Sequence, residues 1–518
     1  MKERIIILGA GVMQGPAIRI SKDMGLETFV VDANPGAVHA QSGDHFRCID
    51  LKDKEGIEAF ARELKQDGGL SGIMTAGTDF SATVAWVAEK LGLPGIPYEA
   101  ALDASDKQRM RSRFKAAGVP SPEFIILKEI PGPGFSLPFG YPVVVKPVDN
   151  MGSRGCRKVT SGTDLADAVR DALGFSRSGR AILEEFMDGP EFSVDAIIFN
   201  GEITICGLAD RHIFFPPYFI EMGHTMPTDL DMKTREALLD TFRQGVRALG
   251  LTNGAGKGDV KLTSRGPMIG EIAARLSGGY MSGWTYPYSS GVEPTRGAVM
   301  AALGKKPNNL VPLKHWTCAE RAFISIPGKI ASVRGMEEAE SVPFVKDLFM
   351  RVGEGSTVRF PENNVSKCGN CISAAPGREE AVHSAETAAR MLLFRLEAPN
   401  EETRAFLETD TDFPPSAFSL SGALLEELRN LPGGNHIPQK GQPIPLCPFP
   451  GFTGSGLLDY TGRSIRESLD AAGALTGTEF RILEQAGSSL GREFWQALIR
   501  GGYQGAVYHI DTLMSGRG

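Results

Sequence analysis

Cysteine is scarce, with seven in 518 residues, and an odd number scattered over a long chain excludes a fold stapled by disulfides. Cys368 and Cys371 form a C-x-x-C, but no second pair or histidine cluster follows at zinc-finger spacing, so simple packing is the expected role. Long apolar runs are absent too: no stretch approaches the roughly 18 residues of a membrane-spanning helix. The opening MKERIIILGAG passes from a short apolar run into a glycine turn with no cleavage-site pattern. Positive charge is the third shortage, since 55 Lys and Arg face 62 Asp and Glu for a net charge of -7. That balance gives no electrostatic reason for a nucleic-acid backbone or an anionic membrane as partner. A cytoplasmic protein acting on small molecules is the expectation.

What the chain has in quantity is glycine (62 residues) within a composition that is 42% hydrophobic and 23% charged, the profile of a globular α/β protein. Its length calls for several modules. Residues 4–8 form a continuous apolar run ending at Gly9, the pattern of a buried parallel strand, followed by an amphipathic helix and a second strand at 28–31. Further alternation through a strand at 72–75 and a helix at 80–91 continues a doubly wound domain to about residue 100. A central domain follows over 101–304, with a lid portion at about 115–190. A small third domain over 305–396 carries a strand at 322–326 and a helix at 379–393. The region 397–518 is rich in Pro and Gly, has helical patterns at 423–430 and 491–499, and shows no legible chemistry.

Gly9, Gly11 and Gly15 follow a strand and open a helix, and Asp32 closes the next strand about twenty residues on, an approach to the dinucleotide fingerprint. Gln14 stands where the third glycine belongs, so the glycines are read as a tight turn at a helix N-terminus and not as a nicotinamide site.

The chemistry-bearing residues come later and in a fixed order. Lys107 opens a predicted helix, and Lys146 ends the apolar run 142–145, both able to project positive charge toward phosphate. Gly152, Ser153, Arg154 and Gly155 form a loop whose amides and hydroxyl can close over phosphate oxygens. Glu184, Glu185, Phe186 and Met187 end a strand, with Glu191 shortly after. Asp259 and Glu271 stand twelve positions apart on two strands joined by a turn at 264–267, a spacing that can bring two carboxylates to one divalent ion. Arg275 follows four residues later, then Ser277, Gly278 and Gly279.

In this order the residues resemble the ATP-grasp superfamily, across residues 1 to about 395. The resemblance implies an α/β ATP-grasp fold with an N-terminal Rossmann-like domain, a central ATP-grasp domain and small C-terminal α+β domains. It implies ATP and Mg²⁺ (or Mn²⁺) as cofactors, Lys107 and Lys146 as phosphate lysines, and residues 152–155 as the mobile loop. Glu184 to Met187 become the adenine hinge, Glu191 the ribose ligand, Asp259 and Glu271 the metal ligands. Arg275 becomes the arginine that stabilises the transferred phosphoryl group. The family commonly reads Glu-x-Asn-x-Arg where this chain reads Glu271-Ile-Ala273-Ala-Arg275, so one metal ligand is missing. That variant, together with Glu221-Met-Gly-His224, is similar to the L-amino-acid ligases that make dipeptides. By that likeness Glu221 lies near a substrate amino group and His224 stabilises a developing oxyanion, while Ser277, Gly278 and Gly279 border the substrate. The implied activity is ligation of a carboxylate to an amine through an acyl phosphate. Carboxylation of bicarbonate and nucleotide binding without catalysis are the alternatives, and a homodimer is the default oligomeric expectation.

Overall fold

A computed structural model of the chain describes residues 2–132, 134–308, 310–409, 411–434, 436, 438–439, 442–449, 456–477, 479–482 and 489–515. It divides into two compact units, one of Met1–Phe219, Gly223–Ala319 and Ala374–Ala381, the other of Ile220–Met222, Glu320–Ser373 and Val382–Gly518.

The first unit begins with a parallel sheet in the spatial order His45–Cys48, Glu27–Asp32, Arg4–Leu8, Gly72–Thr75. Ile5, Ile6, Ile7 and Leu8 are all fully buried, because helices cover both faces of the sheet. The helix Lys54–Gln66 shows how local sequence sets such an element: the Asp53 side chain accepts from the Gly56 amide as N-cap, and Ile57, Phe60, Ala61 and Leu64 make one apolar stripe. Gln14 fills the turn after the first strand. Its side chain accepts from the Gly11 amide and donates to the Ala76 carbonyl, and a Cβ on Gly9 would lie 2.9 Å from it. Asp32 accepts from the Ala10 and Asn34 amides, so its carboxylate closes the glycine turn upon itself.

A second, antiparallel sheet runs Phe124–Leu127, Ala181–Glu185, Val143–Pro147, Arg157–Val159. The helix Leu165–Phe175 buries Leu165, Ala168, Val169 and Ala172 against Val143, Val145 and Leu183. The third sheet contains the neighbouring antiparallel strands Gly266–Ala273, Gly254–Thr263, Glu191–Phe199 and Glu202–Phe214. One face meets the helix Met232–Ala248, where Leu238, Leu239, Phe242 and Val246 pack on Phe192, Val194, Val260, Ile269 and Ile272. Each such side chain contributes about 1.5–3 kcal/mol of burial free energy. Gly258 is required there, since a Cβ would lie 2.5 Å from the Phe242 ring. The opposite face carries the polar residues described below.

In the second unit the strand Gly328–Arg334 pairs with Thr357–Val358 and Leu393–Leu396, and Val345–Met350 pairs with Gly369–Ala375. The strand expected at 322–326 is Thr317–Phe323, displaced toward the N-terminus. Cys368 and Cys371 are buried free thiols whose pKa values burial pushes up to about 12, which makes them packing residues and poor nucleophiles. The C-terminal region shares this unit. Gln504 donates to Ser325 Oγ and the Phe394 carbonyl, both at 2.7 Å, and Arg395 pairs with Asp511 at 2.6 Å. The helical pattern at 491–499 belongs to a longer element, Arg492–Ser515, kinked at Gly502 with φ 62° and ψ -151°, a conformation only glycine adopts cheaply. The apolar stripe crosses the kink, with Phe494, Trp495 and Leu498 on one side and Val507 and Ile510 on the other in a single core. Among the described residues no helix is long and apolar enough to cross a membrane.

Candidate active site

Three adjacent strands build the centre of the site by simple alternation. Across them Ser193, Asp259 and Glu271 form one row of directly opposed residues, and Asp195, Lys257 and Ala273 form the next. Opposed residues of an antiparallel sheet point to the same side. The twelve-residue separation of the two carboxylates does not give this by itself. Across the two-residue turn Ser264–Arg265, Thr263 pairs with Gly266 and Val260 with Ile269, a register that sets Asp259 opposite Gly270 and leaves Glu271 on the wrong face. A β-bulge at Gly270 adds one residue, so Asp259 opposes Glu271 while Ile269 and Ile272 both stay in the core. A Cβ on Gly270 would sit 3.2 Å from the Asp259 carbonyl, which favours glycine as the extra residue.

Cations surround the row. Lys107, at the start of the helix Lys107–Ala117, places Nζ 3.6 Å from Glu271 and donates to the Asn150 carbonyl at 2.9 Å. Burial opposes the charge of Lys107, but Glu271, Asp79 and Glu184 outweigh it and hold its pKa above the ordinary lysine value. Burial likewise opposes ionisation of Glu271, and Lys107 and Lys146 more than compensate, keeping that carboxyl below its usual range. Asp259 pairs with Lys257 and with Arg211 at 3.3 Å, and accepts from Ser193 Oγ at 3.0 Å. Arg275, two residues beyond Ala273, is half-buried and donates to the Leu276 carbonyl at 3.1 Å. Among the described residues Arg275 makes no ion pair, and its Nε is buried without a hydrogen-bond partner.

Lys146 reaches Glu184 at 2.7 Å, and Arg111 reaches the same carboxylate at 2.8 Å. Arg111 is 1% exposed and Glu184 2%. The Glu184 side chain is therefore committed to this ion triad. Burial disfavours its charge, and Arg111 followed by Lys146 overcomes that and holds the carboxyl below the usual range. The other arm of Arg111 donates to the Gly270 carbonyl at 2.5 Å, tying the lysine to the bulge that presents Glu271.

The loop after Lys146 has left-handed backbone at Gly152, Ser153 and Gly155, with φ of 69°, 59° and 65°. Arg154 donates to Asn150 Oδ1 at 3.1 Å. Further on, Glu185 pairs with Arg265, Lys158 lies 4.0 Å above the Phe186 ring, and the Met187 carbonyl accepts from Lys261 at 3.0 Å. Glu191 pairs with Arg211 and lies 4.0 Å from Lys261. His224 is buried on the strand Ile220–Met226. In the second unit the Glu221 amide donates to Asn364 Oδ1 at 2.8 Å and its carbonyl accepts from Lys367 at 2.6 Å.

Sequence reasoning missed Arg111, Lys257 and Asp195. Asp195 lies 2% exposed opposite Lys257 and accepts from the Ser282 hydroxyl, whose oxygen accepts in turn from the Ser277 amide at 2.9 Å. That relay supports Ser277, Gly278 and Gly279 from beneath, and the Gly278 backbone packs so close to Gly77 that a Cβ would sit 3.0 Å from its carbonyl. A charged residue alternating with apolar ones on a buried strand was the available signal. Burial raises the Asp195 pKa from 3.8 to about 6. The folded chain then keeps a proton that the unfolded chain releases first, so this contribution is present below about pH 4 and is lost as pH rises through about 6. The expected result is that the gap in thermal midpoint between the wild type and Asp195→Asn shifts in favour of the variant from pH 4 to 7. A pH-independent gap rejects the assignment.

The profile of the ATP-grasp domain matches residues 139–283, and that of the L-amino acid ligase C-terminal domain 2 matches residues 322–397. Carnosine synthase 1 of Gallus gallus is 26% identical over 333 residues, covering 58% of this chain and 35% of that protein. Alanine–anticapsin ligase of Bacillus subtilis (strain 168) is 26% identical over 294 residues, covering 52% of this chain and 61% of that protein. The chain thus spans less than two thirds of the length of either relative. Among solved structures, the L-amino acid ligase from Bacillus licheniformis superposes with a TM-score of 0.67 at 21% identity, over 76% of this chain and 99% of that one. Residues 139–283 thus form an ATP-grasp domain, residues 322–397 a C-terminal domain of the L-amino acid ligase type, and the chain shares the fold of that ligase structure.

Proposed function

We propose that the chain joins a carboxylate to an amine at the expense of ATP, with at least one amino-acid-like substrate. The observation that carries this reading is the face where Asp259 and Glu271 stand opposed, Lys107 lies 3.6 Å from Glu271, and Arg275 follows without an ion-pair partner among the described residues. Two carboxylates aimed to one side of a sheet fit a single divalent ion, Mg²⁺ or Mn²⁺, which when bound supplies charge neutralisation for phosphate oxygens.

The chain's own residues supply the rest. A substrate carboxylate oxygen attacks the γ-phosphorus of ATP, the bond to the β-phosphate oxygen breaks, and ADP leaves. Lys107 and Lys146 hold the phosphates, and Arg275 bears the charge on the transferred group and on the resulting acyl phosphate. An amine then attacks the acyl carbon, loses a proton, and phosphate departs. Such an intermediate hydrolyses in open water, so Gly152, Ser153, Arg154 and Gly155 close the site. With Glu184 engaged by Arg111 and Lys146, the adenine is held by the chain at Glu185, Phe186 and Met187 and the ribose by Glu191. Glu221 receives the substrate amino group, His224 supports the oxyanion, and Ser277, Gly278 and Gly279 border the acyl side chain. The names of the relatives, carnosine synthase and alanine–anticapsin ligase, support substrates of this class.

The test is phosphate release from ATP and Mg²⁺ over pools of amino acids, other carboxylic acids and bicarbonate. Release that requires a pair of amino acids is the expected result. Release with bicarbonate alone replaces the reading with a carboxylating one, and no release with any pool replaces it with nucleotide binding alone.

A further inference from the structure

The polar face of the three central strands contains a cation that the ligase reading leaves without a task. Lys257 is two residues before Asp259 on the same strand, so both project to one side, and its ammonium contacts the Asp259 carboxylate. Its opposed neighbours are Ala273 on one flank and Asp195 on the other. Four positions thus make a square on this face: Asp259 and Glu271 on one edge, Lys257 and Ala273 on the other. Two corners supply carboxylate oxygens, one supplies only a methyl group, and the fourth is already positively charged.

We propose that Lys257 is a resident cation of the nucleotide site, standing where a second divalent ion would otherwise sit, so that the chain binds one divalent ion per nucleotide. The inference rests on the ATP-dependent reading above and adds how charge is compensated within it. Mg²⁺ demands a near-octahedral set of oxygens, and its sites are built on carboxylates. Among the described residues no group of three or more His, Cys, Asp or Glu gathers to hold a metal. Ala273 offers no oxygen at the corner facing Lys257. A second divalent ion beside Asp259 meets the repulsion of Lys257 and of Arg211, 3.3 Å from the same carboxylate. Among the described residues the ion-pair partner of Glu271 within 4 Å is Lys107, one of the lysines expected to turn toward phosphate, whereas Asp259 is already engaged by Lys257, Arg211 and Ser193, so this face has carboxylate charge to share with a single added ion. The short side chain of Ala273 leaves the Lys257 stem room to lie along the sheet and reach Asp259.

The test is equilibrium dialysis of the full chain with Mn²⁺ and a non-hydrolysable β,γ-imido analogue of ATP, counting both bound species. The wild type is expected to retain one Mn²⁺ per bound nucleotide, Lys257→Arg to retain one, and Lys257→Gln combined with Ala273→Asn to retain two. Two Mn²⁺ ions in the wild type or in Lys257→Arg overturn the role of Lys257 and leave ATP-dependent ligation standing. One Mn²⁺ in the double variant, with nucleotide bound stoichiometrically, also overturns it. Failure of the wild type to bind the analogue at any Mn²⁺ concentration overturns the inference and the ligase reading together. Lys257→Arg provides the reading should the double variant not fold.

Discussion

Arg275→Ala is expected to lower the turnover of ATP by about 10²–10³ while the thermal midpoint and the affinity for ADP change little. The separation follows from what Arg275 touches. Its side chain donates to the neighbouring Leu276 carbonyl, and among the described residues no carboxylate pairs with it, so its removal breaks no ion pair. Loss of a group that acts only on the transferred phosphoryl falls on kcat and kcat/KM alike. Arg275→Lys should recover only part of the rate, because an ammonium carries the charge without the planar fork of donors. The measurement is steady-state phosphate release beside calorimetric unfolding. Turnover within about threefold of wild type sinks the role of Arg275; a collapsed midpoint reassigns it to structure.

Glu184→Ala has the opposite signature. Arg111 and Lys146 share this one carboxylate, with Arg111 and Glu184 both essentially inaccessible to solvent. Removing the anion leaves two cations facing each other in a low-dielectric interior, and breaking a buried pair in this way costs about 3–5 kcal/mol. The midpoint should fall on the order of 10 °C. Lys146 and the Gly270 bulge both lose their fixed point, so nucleotide affinity should fall with stability. Glu184→Leu combined with Arg111→Met, which substitutes apolar groups of similar volume for the pair, should recover at least half of the lost stability. A single variant that costs less than about 1 kcal/mol contradicts the triad, as does a double variant no better than the single.

Much of the fold was legible because long-range burial leaves local marks. The apolar run at 5–8 reads as a doubly covered strand since every side chain there needs a dry partner, and it is one. The helix Met232–Ala248 announces itself by the stripe Leu238, Leu239, Phe242, Val246. Legibility failed where the deciding partner lies far along the chain. Arg111 is one of several basic residues in the segment KQRMRSR, and nothing local separates it from the exposed Arg113. Its burial is set by Glu184 and Gly270, 73 and 159 residues away. The C-terminal helix was read too short for a related reason: Gly501 and Gly502 look like a terminator, whereas the core formed by Phe494, Trp495, Val507 and Ile510 carries the chain through a kink.

The sequence by itself determined the inventory and the order of the chemistry: Lys107, Lys146, the glycine loop, the segment from Glu184 to Glu191, then Asp259, Glu271 and Arg275. Residue type and spacing suffice for that, because each task requires a particular charge or a particular freedom of backbone. Which of those groups share a face was decided only by the tertiary structure. An even separation of twelve puts Asp259 and Glu271 on opposite sides of a regular two-residue hairpin, and the bulge at Gly270 reverses the parity of one strand. That bulge is held by the Arg111 guanidinium and by the burial of Ile269 and Ile272 against the helix Met232–Ala248. The physical reason is that strand alternation is local while the choice of register is not. Core packing selects the bulge, and the bulge in turn aligns two carboxylates that the linear spacing alone would have kept apart.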